Sequence, residues 1–194
     1  MASDETPLPE LLLHAVDALA DVLPAHKARY ALIGGIAAGM RGRLRYTDDV
    51  DLLLTVPQLQ LPGLLEALIE RGFSCDVVPT VREWAEHHMV VLRYSDVRVD
   101  WLKPVVPVYH HVIDTATAEP WRGRQLHVAS AEGLILLKLL ASRPQDQLDI
   151  DTLLAANKGR LDLDWVEREW LTVFPTDDPR WQHFRQSVAE YYDR

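Results

Sequence analysis

The feature that most narrows the choice of fold is Asp49-Val50-Asp51, two carboxylates one residue apart at the head of the apolar run Leu52-Leu53-Leu54. The run has acids before it and Pro57 after it, and it reads as a strand over residues 50–55. Residues i and i+2 of a strand face the same side, so both carboxylates point one way. Two such charges a few ångströms apart repel unless a cation sits between them. Hard divalent metals are held by oxygen ligands of this kind, with waters and phosphate oxygens filling the rest of the shell. Upstream, Tyr30-Ala31-Leu32-Ile33 reads as a short buried strand that runs into Gly34-Gly35, and residues 36–40 are small and helix-compatible. Glycine lets a backbone approach a phosphate closely, and a helix N-terminus offers free N–H donors and the positive end of a dipole.

The rest of the chain predicts an α/β (α+β) fold: a small mixed β-sheet core followed by a helical C-terminal segment. Leu11, Leu12, Val16, Leu19 and Val22 recur at helical spacing, so a helix is expected over 8–23, stopped by Pro24. A helix over 61–71 carries Pro62 in its first turn and ends at Gly72. A third strand is expected over 73–78. Residues 89–94 and 97–102 read as a hairpin around Ser95-Asp96, and residues 114–128 hold strand-like pieces around Trp121-Arg122-Gly123. After Ser130, which resembles a helix cap, the pattern turns helical over 134–141 until Pro144 breaks it. Helix candidates follow at 146–157, 164–173 and 180–192. The division expected is a core over 1–128 with its N-terminal helix and a helical segment over 129–194 packing on it as one compact unit.

Composition removes several function classes. Of the 194 residues, 48% are hydrophobic and 25% charged, close to globular averages, so a disordered or collagenous chain is excluded. The formal net charge of -9 argues against a general nucleic-acid coat protein, which carries a basic excess. No apolar run approaches the roughly 18–20 residues that a membrane span needs, so no membrane partner is expected. Met1 to Glu10 is acidic and lacks the basic and apolar regions of a signal peptide, and the single cysteine, Cys75, excludes an internal disulfide. A cytoplasmic location is the expectation.

A third carboxylate completes the candidate site. Asp100 lies in Val97-Arg98-Val99-Asp100-Trp101-Leu102, where alternation sets Arg98 and Asp100 on one face and the apolar residues on the other. Two bound metals can activate an attacking oxygen and stabilise the leaving oxygen of an in-line phosphoryl transfer. Asp100 could equally be half of a surface pair with Arg98. Lys138, on an otherwise apolar helix, either snorkels to solvent or points at an anion. Arg143, Asp146 and Asp149 read as well as an ion-pair network between two helices as they do as substrate contacts. Arg41, Arg43 and Arg45 form a short basic patch before the acids, suited to a phosphate or to a solvated loop. His87-His88 and His110-His111 have no spacing that suits zinc.

Gly34, Gly35, Asp49, Asp51 and Asp100 together resemble the signature of the DNA-polymerase-β-type nucleotidyltransferases. Arg45-Tyr46-Thr47-Asp48-Asp49-Val50-Asp51 is similar to the Arg-x-Thr-x-Asp-x-Asp form of the small bacterial branches, the minimal and the AbiEii-like toxin nucleotidyltransferases. Lys138 to Asp149 resembles the Lys-x-x-Ala-x-Arg…Asp…Asp segment of the AbiEii-like group. The resemblance covers roughly residues 30–55 and 130–155, with Asp100 between them. It implies transfer of an NMP from an NTP to an acceptor that is a protein, a tRNA or a small hydroxylated molecule. It implies catalytic, metal-binding Asp49, Asp51 and Asp100 with two Mg²⁺ ions, or Mn²⁺ in their place. It implies nucleotide contacts from Gly34, Gly35, Arg45, Thr47, Lys138, Arg143 and Asp146, and an antitoxin partner if the chain is a toxin. The family often has Gly-Ser where this chain has Gly34-Gly35, which would remove a serine contact to phosphate. A non-catalytic nucleotide-sensing or partner-binding module on the same scaffold is the alternative.

Overall fold

The computed structural model describes residues 8–42 and 46–192. Leu12, Val16, Leu19 and Leu23 are all but fully buried along one face of α1 (Glu10–Ala25), which fixes that helix to the sheet. Pro24 falls inside the last turn of α1 rather than beyond its end; the N–H groups of His26 and Ala28 close that end on the carbonyl of Leu23. β1 (Arg29–Ile33) runs directly into α2 (Gly34–Arg41), and β2 (Asp49–Thr55) returns antiparallel to β1. A short 3-10 turn at Gln58–Gln60 leads to α3 (Leu61–Glu70) and then to β3 (Phe73–Ser74).

Here the structure departs from the expected strand over 73–78. β3 has two residues, and Val77 opens α4 (Val77–His87). Val77-Val78 looks like strand sequence because β-branched residues favour it, but Val77, Thr80, Val81 and Trp84 form a helical stripe against the core while Val78 faces solvent. Burial of that stripe overrides local preference. A second unexpected helix, α5 (Pro107–Asp114), starts with proline at its first position and buries Val108, Val112 and Ile113. The hairpin β4 (Met89–Tyr94) and β5 (Val97–Leu102) has the expected bounds, with Ser95 at φ 52° in its two-residue turn. β6 (Thr117–Trp121) and β7 (Arg124–Val128) form a second hairpin.

The strands form one seven-stranded sheet in the order β3-β4-β5-β2-β1-β7-β6. The pairs β2–β5 and β1–β7 are parallel and the others antiparallel, so the sheet is mixed. α1 and α4 cover one face, where Trp84 of α4 meets Trp101 of β5 edge to face. α5 lies against β1 and β2 on the opposite face. Behind it come α6 (Ala131–Ala141), whose start is capped by Ser130 Oγ accepting from the Gly133 N–H, then α7 (Pro144–Ala156), α8 (Leu163–Leu171) and α9 (Pro179–Tyr192). Pro144 thus opens α7 rather than merely ending α6. α6 touches α2, α5, α7, α8 and α9, so it ties the helical segment to the sheet. No helix among the described residues is long and apolar enough to cross a membrane.

Candidate functional site

Strand register assembles the site. β2 and β5 pair so that Asp49 lies beside Arg98, Asp51 beside Asp100 and Leu53 beside Leu102. β4 extends each row, setting Arg93 beside Arg98, Val91 beside Asp100 and Met89 beside Leu102. On the other side, Ile33 of β1 neighbours Asp51. The sheet therefore presents three parallel rows on the face that carries α5: a charged row of Asp49, Arg98 and Arg93, an acidic row through Asp51 and Asp100, and an apolar row of Leu53, Leu102 and Met89.

The glycine pair has a steric reason beyond any ligand. Gly34 sits at φ +67°, and a Cβ on it would lie 1.9 Å from Oδ2 of Asp51. A Cβ on Gly35 would lie 2.7 Å from Oγ1 of Thr47. The backbone of α2 is thus pressed directly onto the acid-bearing segment, with Thr47 filling the space beside Gly35. A serine at position 35 would collide with Thr47, so Gly-Gly and Thr47 belong together. Thr47 is 4% exposed, and its hydroxyl donates to Oδ1 of Asp49 at 2.7 Å. In this structure it orients an acid.

The electrostatics single out Asp51. Burial, with Asp49 and then Asp100 adding to it, pushes its carboxyl up to about 6 against the opposing pull of Arg143 and Lys138. Asp100 is relieved differently: Arg98 Nε donates to its Oδ1 at 2.7 Å, and the pair raises the Arg98 pKa. With Asp49 turned to Thr47 and Asp100 to Arg98, no group of three His, Cys, Asp or Glu side chains among the described residues stands ready to hold a metal ion. The donor set nevertheless has the chemistry of a hard-cation site, with carboxylate oxygens on neighbouring strand positions and one of them held at a raised pKa by burial and by the other two. Asp49, Asp51 and Asp100 are the residues that could hold such an ion.

Lys138 reaches this site from α6 without facing solvent. It is 5% exposed, and its Nζ lies 2.5 Å from Oδ2 of Asp149 and 3.5 Å from Oδ1 of Asp146. Of the two readings left open, snorkelling or pointing at an anion, the structure has the second: the anion it finds is Asp149, itself 6% exposed. Arg143 stands at the start of α7 and donates to Asp146 from both its backbone and its guanidinium, at 3.0 Å from its N–H and 2.8 Å from Nε to Oδ2. Burial alone would raise the Asp146 pKa, but the Arg143 hydrogen bonds and the Lys138 charge outweigh it and hold it below the usual carboxylate range. A cavity of about 370 Å³ opens between this network and the acidic row, lined by Gly34, Asp51, Asp100, Tyr109, Lys138 and Arg143 among others. A neighbouring cavity of about 400 Å³ shares Lys138 and Arg143 and adds Gln147, Arg180 and His183, but it has none of the three acids.

Of the residues singled out in the sequence, the structure brings Gly34, Asp51, Asp100, Lys138, Arg143 and Asp146 to one cavity, with Gly35, Thr47 and Asp49 directly behind it. Arg45 and Arg43 lie outside the described residues. Arg41 turns away: its guanidinium bonds Glu119, Thr117 and the carbonyls of Val128 and Ala129. Sequence reading missed Tyr109, Met89 and Arg93. Tyr109 belongs to the unexpected α5. The other two were legible in principle, because a two-residue turn at Ser95-Asp96 sets Arg93 opposite Arg98 and Met89 opposite Leu102.

No protein-family model matches the chain, and no curated protein matches it in sequence. Solved structures do match it in fold. An antigenic nucleotidyltransferase-like protein from Paracoccidioides brasiliensis superposes with a TM-score of 0.54 at 17% identity, covering 95% of this chain and 90% of that one. The antibiotic-resistance factor ANT(2'')-Ia superposes in its solution structure with a TM-score of 0.54 at 17% identity, over 92% of this chain and 94% of that one. In its crystal structure with adenylyl-2''-tobramycin the TM-score is 0.51 at 17% identity, over 90% and 97%. The chain therefore has the nucleotidyltransferase fold.

Proposed function

We propose that this protein transfers a nucleoside monophosphate from an NTP to a hydroxyl acceptor, with a divalent metal. The observation that carries the reading is the acidic row: Asp51 and Asp100 are register partners, Asp49 is two residues from Asp51, and the Gly34 backbone abuts Asp51 at the mouth of the 370 Å³ cavity. The fold shared with ANT(2'')-Ia, whose crystal structure holds an adenylylated antibiotic, supports the same reaction class. In that reaction the acceptor hydroxyl oxygen attacks the α-phosphorus, a new O–P bond forms, the bond to the β-phosphate oxygen breaks and pyrophosphate leaves. Asp49, Asp51 and Asp100 would hold Mg²⁺, two ions by the family resemblance, with Mn²⁺ able to serve. The metal would neutralise the phosphates and polarise the reacting oxygen. Asp100, on the side of the row open to β4, would release Arg98 and take the hydroxyl proton. Gly34 and Gly35 open α2, whose first N–H groups would meet phosphate oxygens. Lys138 and Arg143 bring positive charge to the same cavity, and their aspartate partners hold them there.

The test is calorimetric titration of ATP, GTP, CTP and UTP with and without Mg²⁺ into the native protein and into the Asp49→Asn, Asp51→Asn pair. Mg²⁺-dependent binding of at least one NTP that the double substitution weakens about tenfold or more supports the site. Binding that ignores both Mg²⁺ and the substitutions contradicts it.

A further inference from the structure

The reaction class leaves the acceptor open, and the sheet face beside Asp100 narrows it. This inference rests on the nucleotidyltransfer reading and concerns the other substrate of the same site. Arg93 and Arg98 are directly opposed on adjacent antiparallel strands. Their positions alternate with the buried Leu92, Val97 and Val99, so both point to the outer face. Like charges directly opposite one another destabilise a strand pair. Arg98 is balanced by Asp100, but no acid among the described residues pairs with Arg93. Should Asp100 turn from Arg98 to a metal, two adjacent guanidiniums remain beside it without an anion. Next to them on the same face, Val91 and Met89 are exposed, Val91 beside Asp100 and Met89 beside Leu102 in the cavity wall.

We infer that the acceptor carries a phosphate beside its reacting hydroxyl, and that Arg93 and Arg98 bind that phosphate while Val91 and Met89 support the neighbouring sugar or ring. Guanidinium groups suit this role because their planar donors match phosphate oxygens two at a time. The geometry selects the substrate class in a second way. A polycationic acceptor of the kind seen on ANT(2'')-Ia would meet two guanidiniums beside Asp100, which disfavours tobramycin and its relatives at that spot. The phosphate could belong to the end of a polynucleotide or to a small sugar phosphate; the two share the chemistry and differ only in what lies beyond Arg93.

Binding to the full-length protein, measured without NTP, tests this apart from catalysis. The probes are a 5′-fluorescein-labelled oligoadenylate with a free 3′-hydroxyl, ribose 5-phosphate as competitor, and tobramycin as the polycation. Arg93→Ala and Arg93→Glu are the variants; the second also replaces a repulsive Arg–Arg pair by an attractive one, so neither should lower the melting temperature. The expected result is that the oligoadenylate or ribose 5-phosphate binds the native protein and that Arg93→Glu weakens it about tenfold or more, with Arg93→Ala in between. ATP·Mg²⁺ affinity should stay within about twofold in both variants, and tobramycin should neither bind nor compete. Equal binding of the phosphate probes to native protein and Arg93→Glu, binding of neither probe, or displacement of them by tobramycin overturns the inference. Loss of ATP·Mg²⁺ binding by the native protein would instead overturn the nucleotidyltransfer reading while leaving the Arg93 result readable.

Discussion

Asp51 of β2 and Asp100 of β5 are direct register partners in a parallel strand pair, so two carboxylates meet on one face of the sheet with Asp49 two residues away. The arrangement stores repulsion in the metal-free protein. Asp51 carries the cost, its carboxyl raised from 3.8 to about 6 first by burial and then by the Asp49 and Asp100 charges. Above pH 6 the group is ionised whether the chain is folded or not, and the folded state bears the cost. Below 3.8 it is protonated in both, and the cost is gone. The folded protein should therefore gain stability from this group as pH falls from about 6 to about 4, by at most about 2–3 kcal/mol. Thermal melts of native protein and Asp51→Asn in EDTA between pH 4 and 8 check it. The variant should melt higher at pH 7.5, and the gap should close towards pH 4.

Gly34→Ala should be far more damaging than a glycine-to-alanine change in a helix usually is. The left-handed backbone alone costs about 1–2 kcal/mol with a Cβ present. The new methyl would also lie 1.9 Å from the Asp51 carboxylate and force it aside. Denaturant unfolding should show a stability loss above that range, together with weakened Mg²⁺ and NTP binding. Gly35→Ala, which has no positive φ but meets Thr47, should disturb Asp49 through that threonine and affect nucleotide binding more than stability.

Lys138→Ala should destabilise the fold strongly. It would strip buried Asp149 of its partner at 2.5 Å and Asp146 of one of its two cations, and breaking a buried pair on one side costs up to about 3–5 kcal/mol. Replacing Lys138 and Asp149 together, by Met and Leu, should restore much of that loss because both buried charges are gone. Urea melts of the single and double variants measure it. If the double variant regains stability but not NTP affinity, Lys138 serves the nucleotide as well as the fold.

Much of this was readable from the chain because it depends on local spacing. Asp49 and Asp51 on one strand face, Asp100 and Arg98 on another, and the Ser95-Asp96 hairpin follow from period-two alternation, and the structure keeps all of them. What could not be read is what depends on contacts far apart in sequence. The burial of Lys138 is settled by Asp149, 11 residues on and on another helix. The steric coupling of Gly35 to Thr47 is settled by how α2 folds back on the segment before β2. α4 was obscured because Val77-Val78 has strand-like residues whose helical stripe only makes sense against Trp101. The lining of the cavity by Tyr109 follows from α5, which begins at a proline that reads as easily as a loop.

Arg98→Ala separates the two states of Asp100. Freed of its guanidinium, Asp100 should bind divalent metal more readily in the absence of substrate, while losing the cation that quiets it in the metal-free protein. Mn²⁺ titration followed by electron paramagnetic resonance should show tighter binding in the variant, and the metal-free melting temperature should fall.

The transfer chemistry itself is tested most directly by position-specific label. Purified protein is incubated with Mg²⁺, a cell lysate and NTP labelled at either the α- or the γ-phosphate, and the labelled products are separated. Label should appear on an acceptor from α-labelled NTP only, with labelled pyrophosphate released from γ-labelled NTP, and both signals should vanish in Asp49→Asn, Asp51→Asn. Transfer of the γ-label to an acceptor, or α-labelling that persists in the double variant, would contradict nucleotidyl transfer at the Asp49, Asp51, Asp100 site.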